Sequence, residues 1–225
     1  MSAAIPIPEG FETRCGVCAA PTSMRCSRCG SAYYCSKDHS VMDWKYHKKQ
    51  CNSNQVDPSA AASFLWPTKN TLQAILLPAH EDEPRMVDVE FEWGTDSGLT
   101  GFPMHVQNLK RKVPGLFHDR ALVFEEHVET FGIHGRELKD EEHLVIMYND
   151  LGSMHTDHPN RCVQHLTKGK APHEWTDTLL VLRQRPRDRL LRYQSANLDE
   201  DIEILRQYFL EYDVGGGGGG RVLTF

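Results

Sequence analysis

No run in these 225 residues approaches 18 consecutive apolar side chains, so the sequence offers nothing to cross a bilayer as a helix. The first 14 residues carry neither a basic region nor an apolar core, which argues against a secretory leader. No Gly-x-Ser-x-Gly elbow, Walker loop or dinucleotide-binding glycine pattern occurs, so none of these common catalytic fingerprints can be invoked. Cysteine is scarce outside one stretch. Six of the seven lie between positions 15 and 51, and the odd one, Cys162, reads as a small buried hydrophobe. Dense cysteine without a leader favours an intracellular metalloprotein, nuclear or cytoplasmic, over a disulfide framework.

That one stretch organises the chain. Cys15 and Cys18 form one Cys-x2-Cys pair, Cys26 and Cys29 a second. Cys35 with His39, and His47 with Cys51, follow at i,i+4 spacing, which places each pair on one side of a helical turn. Structural zinc takes four thiolate or imidazole donors in a closed tetrahedron. Eight donors therefore predict two zinc ions. Spacing leaves the pairing open. A sequential scheme gives the first ion all four leading cysteines. A cross-braced scheme joins Cys15 and Cys18 to Cys35 and His39, and Cys26 and Cys29 to His47 and Cys51.

The stretch resembles a MYND-type zinc finger. Two Cys-x2-Cys knuckles, Tyr34 before Cys35, Asp43-Trp44, His47 and Cys51 stand in that family's register. His39 replaces the usual sixth cysteine and remains a competent ligand. Ser40 replaces the usual glutamine and alters the expected partner surface. The resemblance implies the cross-braced pairing and a protein partner, a proline-rich peptide segment held in extended form by Trp44, Tyr34 and Ser40. Such a peptide is already extended and loses little entropy on docking. The residues alone allow a plainer role for Trp44, as finger core beside a ligand.

Charge is uneven. Residues 15–51 hold six basic residues against Asp38 and Asp43, a net +4, and the remainder carries −10. Basic side chains offset zinc-bound thiolates, so the charge does not by itself call for nucleic acid. Direct DNA contact remains the alternative reading of this patch.

Downstream composition predicts a linker at 52–63, an α+β domain over 64–214 and a glycine-rich tail at 215–225, with 1–14 as an N-terminal extension packing Phe11 on the finger. The finger itself should contain a short strand over 32–35 and one or two helical segments between 36 and 50. Residues 86–93 alternate, with Val87, Val89, Phe91 and Trp93 on one face, as a half-buried strand does. Residues 72–77, 102–109 and 122–125 are further strand candidates. The continuous apolar runs at 143–148 and 178–182 predict strands covered on both faces. Leu198, Ile202, Leu205, Phe209 and Tyr212 recur at helical spacing behind Asn197 as N-cap, with Glu200 placed for a capping box. The segments from Asn160 through 182, and the final helix, resemble the carboxy-terminal part of fungal proteins that pair a MYND finger with a domain of unknown function. That likeness implies a fold and no activity.

Other candidate chemistry is thin. His155, His158 and His165 with Asp157 sketch a metal cluster but read as solvated loop residues. Residues 155–160 echo the methyl-donor motif of SET-domain lysine methyltransferases, yet Met154 and Thr156 break it and no Gly-Glu-Glu motif follows. The sequence reading is thus a two-zinc, non-enzymatic interaction protein, with methyltransferase-like or other activity in 64–214 as the alternative.

Overall fold

In the computed structural model the described residues are 6–51, 61, 64–96, 104–109, 123–128, 130–131, 136–137, 143–149, 159–184, 192–212 and 221–223. In chain order the elements are β1 (Phe11–Thr13), α1 (Lys37–His47), β2 (Leu65–Pro67), β3 (Thr71–Leu77), β4 (Arg85–Asp96), β5 (Met104–Leu109), β6 (Val123–Val128), β7 (Thr130–Phe131), β8 (Arg136–Glu137), β9 (His143–Asn149), α2 (Arg161–Thr167), β10 (Leu179–Gln184), α3 (Leu198–Glu211) and β11 (Arg221–Leu223). The chain divides into two compact units, residues 1–70 with 93–108 and residues 71–92 with 109–225. Residues 64–70 and 93–108, read from sequence with the downstream domain, thus group with the finger.

In the first unit β1 pairs antiparallel with β2, Glu12 standing opposite Trp66. The Trp66 ring meets Trp93 edge-on at 5.7 Å, and the Arg14 guanidinium lies 3.8 Å from the Trp93 ring centroid. Phe64 packs against Tyr33 and Tyr34. A Cβ added at Gly16 would lie 2.6 Å from the Phe64 ring, so only glycine allows the first knuckle to pass beneath it. The expected strand at 32–35 is reduced to a single bridge, Arg25 to Tyr33. Ser36 already caps a helix, which leaves no room for the ladder to continue. The expected one or two helical segments are one helix, α1.

The second unit is an antiparallel sheet whose strands lie in the order β11-β6-β9-β10-β3-β4. Its central strands β9 and β10 pair with Ile146 opposite Val181 and bury residues on both faces. β4 alternates: Asp88, Glu90 and Glu92 are exposed while Val89 and Phe91 are buried. One face is covered by α2 and α3, which also pack on each other. Its core joins Ile75, Leu144, Ile146, Val163, Trp175, Val181, Leu205 and Phe209. Cys162 sits in the same core, fully buried, and its thiol is pushed up to about 12 chiefly by that burial.

Local sequence explains the helices. Asn160 accepts a 2.8 Å hydrogen bond from the Val163 amide and caps α2. Its amide nitrogen donates to the Leu77 and Asp177 carbonyls at 3.1 and 2.5 Å, so this side chain is occupied as a structural clasp. Asn197 caps α3 through the Asp199 amide. The reciprocal bond of the cap comes from Asp201, which accepts from the Asn197 amide at 2.8 Å, and not from Glu200. Arg183 explains the exchange: it draws Glu200 outward at 2.6 Å and holds Asp201 through several hydrogen bonds. His155, Asp157, His158, the basic triplet at 110–112, the glycines at 215–220 and nearly all of 52–63 lie outside the described residues.

Candidate metal centre

Each knuckle is a tight turn that turns two sulfurs inward. Ala19 donates its amide to the Cys15 carbonyl and Gly30 to the Cys26 carbonyl, both at 2.9 Å. Both residues adopt positive φ, 57° at Ala19 and 70° at Gly30. The second knuckle therefore has the residue that this conformation favours, and the first bears a small strain at alanine. Backbone bonds from Gly16 to Tyr33 and from Cys26 to Ala32, at 3.0 and 2.7 Å, hold the knuckles beside the Tyr33 segment. Helix α1 supplies the rest. Ser36 Oγ accepts from the His39 amide at 3.1 Å, starting the helix so that Cys35 precedes its first turn and His39 lies within it. His47 ends the same helix, two turns further on.

The result is two quartets, Cys15, Cys18, Cys35 and His39, and Cys26, Cys29, His47 and Cys51. Within each, all donor atoms lie within 4.8 Å of one another. In the first, Cys18 Sγ is 3.4 Å from Cys35 Sγ, and His39 Nδ1 is 3.0 Å from Cys35 Sγ and 3.5 Å from Cys15 Sγ. In the second, Cys26 Sγ is 4.0 Å from Cys51 Sγ and Cys29 Sγ is 3.4 Å from His47 Nε2. A zinc tetrahedron has sulfur–sulfur edges of about 3.8 Å and sulfur–nitrogen edges of about 3.5 Å. The edges found here lie within about 0.5 Å of these values, so each quartet has the size that such an ion needs. They take the cross-braced pairing, and no sequential assignment is compatible with them.

Electrostatics agrees. Crowded thiols oppose one another's ionisation: a hydrogen bond from Cys18 holds Cys15 down at about 4, and the same bond pushes Cys18 strongly up. Cys51 is pushed up to about 12, first by burial and then by the charge of Cys26. A divalent cation at the centre supplies the charge that lets all the thiols of a quartet ionise together. Burial lowers the His47 imidazole, keeping it neutral as a ligand must be. The Ser31 amide, 3.5 Å from Cys29 Sγ, donates to that sulfur. Among the described residues no further group of three or more histidines, cysteines or carboxylates converges in this way, and the His165 imidazole stands 3.4 Å from the Glu83 carboxylate, both side chains exposed.

The three residues expected to meet a peptide are differently placed. Tyr34 is buried, and its hydroxyl donates to Asp43 at 2.7 Å. Trp44 is half-buried, its ring edge-on to His47 at 5.9 Å with the Arg28 guanidinium 5.3 Å from its centroid. Ser40 is half-buried one turn earlier on α1. Sequence reasoning missed Arg28 as a neighbour of Trp44 and Phe64 as the ring over the first knuckle. Only distance in sequence hid them.

Two interleaved quartets of three cysteines and one histidine, bridged by a short helix, define a cross-braced two-zinc finger. Residues 14–51 match the family model of the MYND finger, and this part of the chain is a MYND finger. Programmed cell death protein 2 of Mus musculus is 34% identical over 94 residues, 40% of this chain and 26% of that protein. Ubiquitin C-terminal hydrolase 15 of Oryza sativa subsp. japonica is 32% identical over 91 residues, 38% of this chain and 9% of that protein. Egl nine homolog 1 of Homo sapiens is 43% identical over 42 residues, 18% of this chain and 10% of that protein. The chain spans about a quarter of the first relative and less of the others. No solved structure matches it. The finger is a zinc-binding protein-interaction module and not a catalytic one. No described helix is long and apolar enough to cross a membrane.

Proposed function

We propose that this protein recruits a partner inside the cell by holding a short, extended, proline-rich segment on the flank of α1 formed by Trp44 and Ser40, and that it serves regulation rather than catalysis. The observation that carries the reading is the setting of Trp44. Its indole is half-exposed, braced by a zinc-ligating imidazole on one edge and approached by the Arg28 guanidinium. A flat, rigid, partly dry ring of this kind suits a proline or leucine side chain. Tyr34 stands behind the surface, fixing Asp43 and hence the turn of α1 that carries Trp44. Ser40 offers a short hydroxyl, so the preferred peptide contributes fewer long polar side chains. Zinc enters only by holding this surface rigid.

The reading is tested by titrating proline–leucine-rich peptides into the zinc-loaded full chain and following amide NMR shifts. Shifts centred on Trp44 and Ser40 that vanish in a zinc-loaded Trp44→Ala chain support it. Absence of shifts with every such peptide overturns it and leaves the finger as a structural cap. A methyltransferase reading finds little support, since Asn160 is fully occupied as a clasp between α2, β3 and the Asp177 turn.

A further inference from the structure

The flank of α1 that carries Trp44 has a charge pattern of its own. Lys37, Val41, Trp44 and Lys48 follow one another at steps of four, three and four residues, so they form one row along the helix and its C-cap. Val41 is 65% exposed near the middle of the row, and the two lysines are exposed at its ends. Arg28, also exposed, reaches in from the second knuckle to 5.3 Å from the Trp44 ring centroid. The row is apolar at its centre and cationic at its rim, the anatomy of a recognition surface.

These cations have no internal counter-charge. Elsewhere Arg14, Arg85, Arg161, Arg183 and Arg206 each hold a carboxylate. Among the described residues no carboxylate stands within ion-pairing distance of Arg28, Lys37 or Lys48. Asp38 and Asp43 lie off the row, and Asp43 is held by the Tyr34 hydroxyl at 2.7 Å. Lys45 is turned aside, over the Tyr46 ring at 4.6 Å. Zinc-bound thiolates account for only part of the charge. Three thiolates and one imidazole around a divalent ion carry one net negative charge, so the two sites offset half of the finger's surplus of +4.

The complement of an apolar centre between two cations is an apolar segment between two acids. At about 1.5 Å of rise per residue, Lys37 and Lys48 stand about 16 Å apart along α1. Extended chain covers that span in about five residues. A nucleic-acid strand fits less well, since it is charged at every phosphate and would lay charge over Val41 as well as over the lysines. Resting on the peptide reading given above, we propose that Lys37 and Lys48, with Arg28 adding to the same positive field, select a partner segment that bears a glutamate or aspartate at each end of its proline–leucine centre.

The experiment uses the zinc-loaded full chain and four probes. Three are blocked hexapeptides with one proline–leucine centre and glutamate, glutamine or lysine at both ends; the fourth is a short oligothymidine. Binding is read from tryptophan fluorescence and amide NMR. Exposed ion pairs are individually weak, so the glutamate peptide should bind about fivefold tighter than the glutamine peptide at low salt, and the lysine peptide more weakly than either. The preference should fall toward unity at about 1 M salt, where charges are screened within about 3 Å. A chain carrying both Lys37→Gln and Lys48→Gln, with two zincs still bound, should show a preference below about twofold. Lys170→Gln, in the second unit, should leave the preference as it was. Equal binding of the glutamate and glutamine peptides overturns this proposal and leaves the peptide reading standing, whereas no binding of any peptide overturns both. Oligothymidine binding tighter than the glutamate peptide gives the row to nucleic acid and overturns the proposal, as does an unchanged preference in the folded double variant.

Discussion

The finger and the sheet unit reach order by opposite routes. Between residues 15 and 51 the buried side chains are chiefly ligands and small residues, Cys15, Cys18, Cys29, Ala19 and Ala32, with Tyr33, Tyr34 and His47. α1 has no apolar stripe and exposes Val41, Met42 and Tyr46. In the sheet unit, Ile75, Ile146, Val181, Leu205 and Phe209 are fully buried in one continuous core. The first region is held by coordination bonds between distant points of a polar chain, the second by area removed from water. One should therefore respond to chelators and the other to cavities.

Metal removal is the largest expected effect. Structural zinc contributes about 10–16 kcal/mol of apparent binding energy in finger peptides, and this finger has little else to hold it. Elemental analysis should return two zincs per chain. Strong chelation should erase the dispersed amide signals of 15–51 while those of Leu205 and Phe209 persist. One zinc or none would break the eight-donor scheme, and loss of both sets of signals would make the two regions one folding unit.

Next in size is a cavity. Phe209 is fully buried against Trp175 and Tyr208. Phe209→Ala should cost roughly 3–5 kcal/mol, read as a lowered midpoint in denaturant, with zinc content still at two. A matching loss of zinc would blur the contrast.

A third test separates two neighbouring acids in the first turn of α3. Asp201 is buried, accepts from the Asn197 amide and faces Arg183. Removing it leaves a largely buried guanidinium short of its partner, and Asp201→Ala should cost roughly 3 kcal/mol. Glu200 is largely exposed, and Glu200→Ala should stay within about 0.5 kcal/mol. The reverse order would restore the capping box that spacing alone suggests.

These contrasts also mark what the sequence made legible. Ligand identity was plain because cysteine and histidine carry their chemistry in their names, and β4, β9, β10 and α3 were plain because periodicity reports burial. The pairing of knuckles was not, since both schemes use all eight donors. It became readable only through family likeness. Nor was the grouping of Phe64, Trp66 and Trp93 with the finger. A half-buried aromatic in an alternating strand declares a covered face and says nothing about what covers it. The choice between Glu200 and Asp201 as cap partner depended on Arg183, fourteen residues before Asn197 in sequence and invisible to any local window.

The smallest expected effect concerns the two histidines. They are equivalent in the ligand count but not in reach. His39 presents Nδ1, the ring nitrogen nearer its backbone, 3.0 Å from Cys35 Sγ. His47 presents Nε2, the far nitrogen, 3.4 Å from Cys29 Sγ. A cysteine sulfur sits close to its own backbone, so it can stand in for Nδ1 with a small shift of α1 and cannot span the distance that Nε2 covers. His39→Cys should keep two zincs and change stability little, His39→Ala should empty the first site, and His47→Cys should lose the second zinc despite adding a thiol. Zinc release titrated with a colorimetric chelator distinguishes them. Equal retention in both cysteine variants would mean that the finger's backbone adjusts freely around its metals, and that the stiffness here ascribed to zinc ligation resides elsewhere.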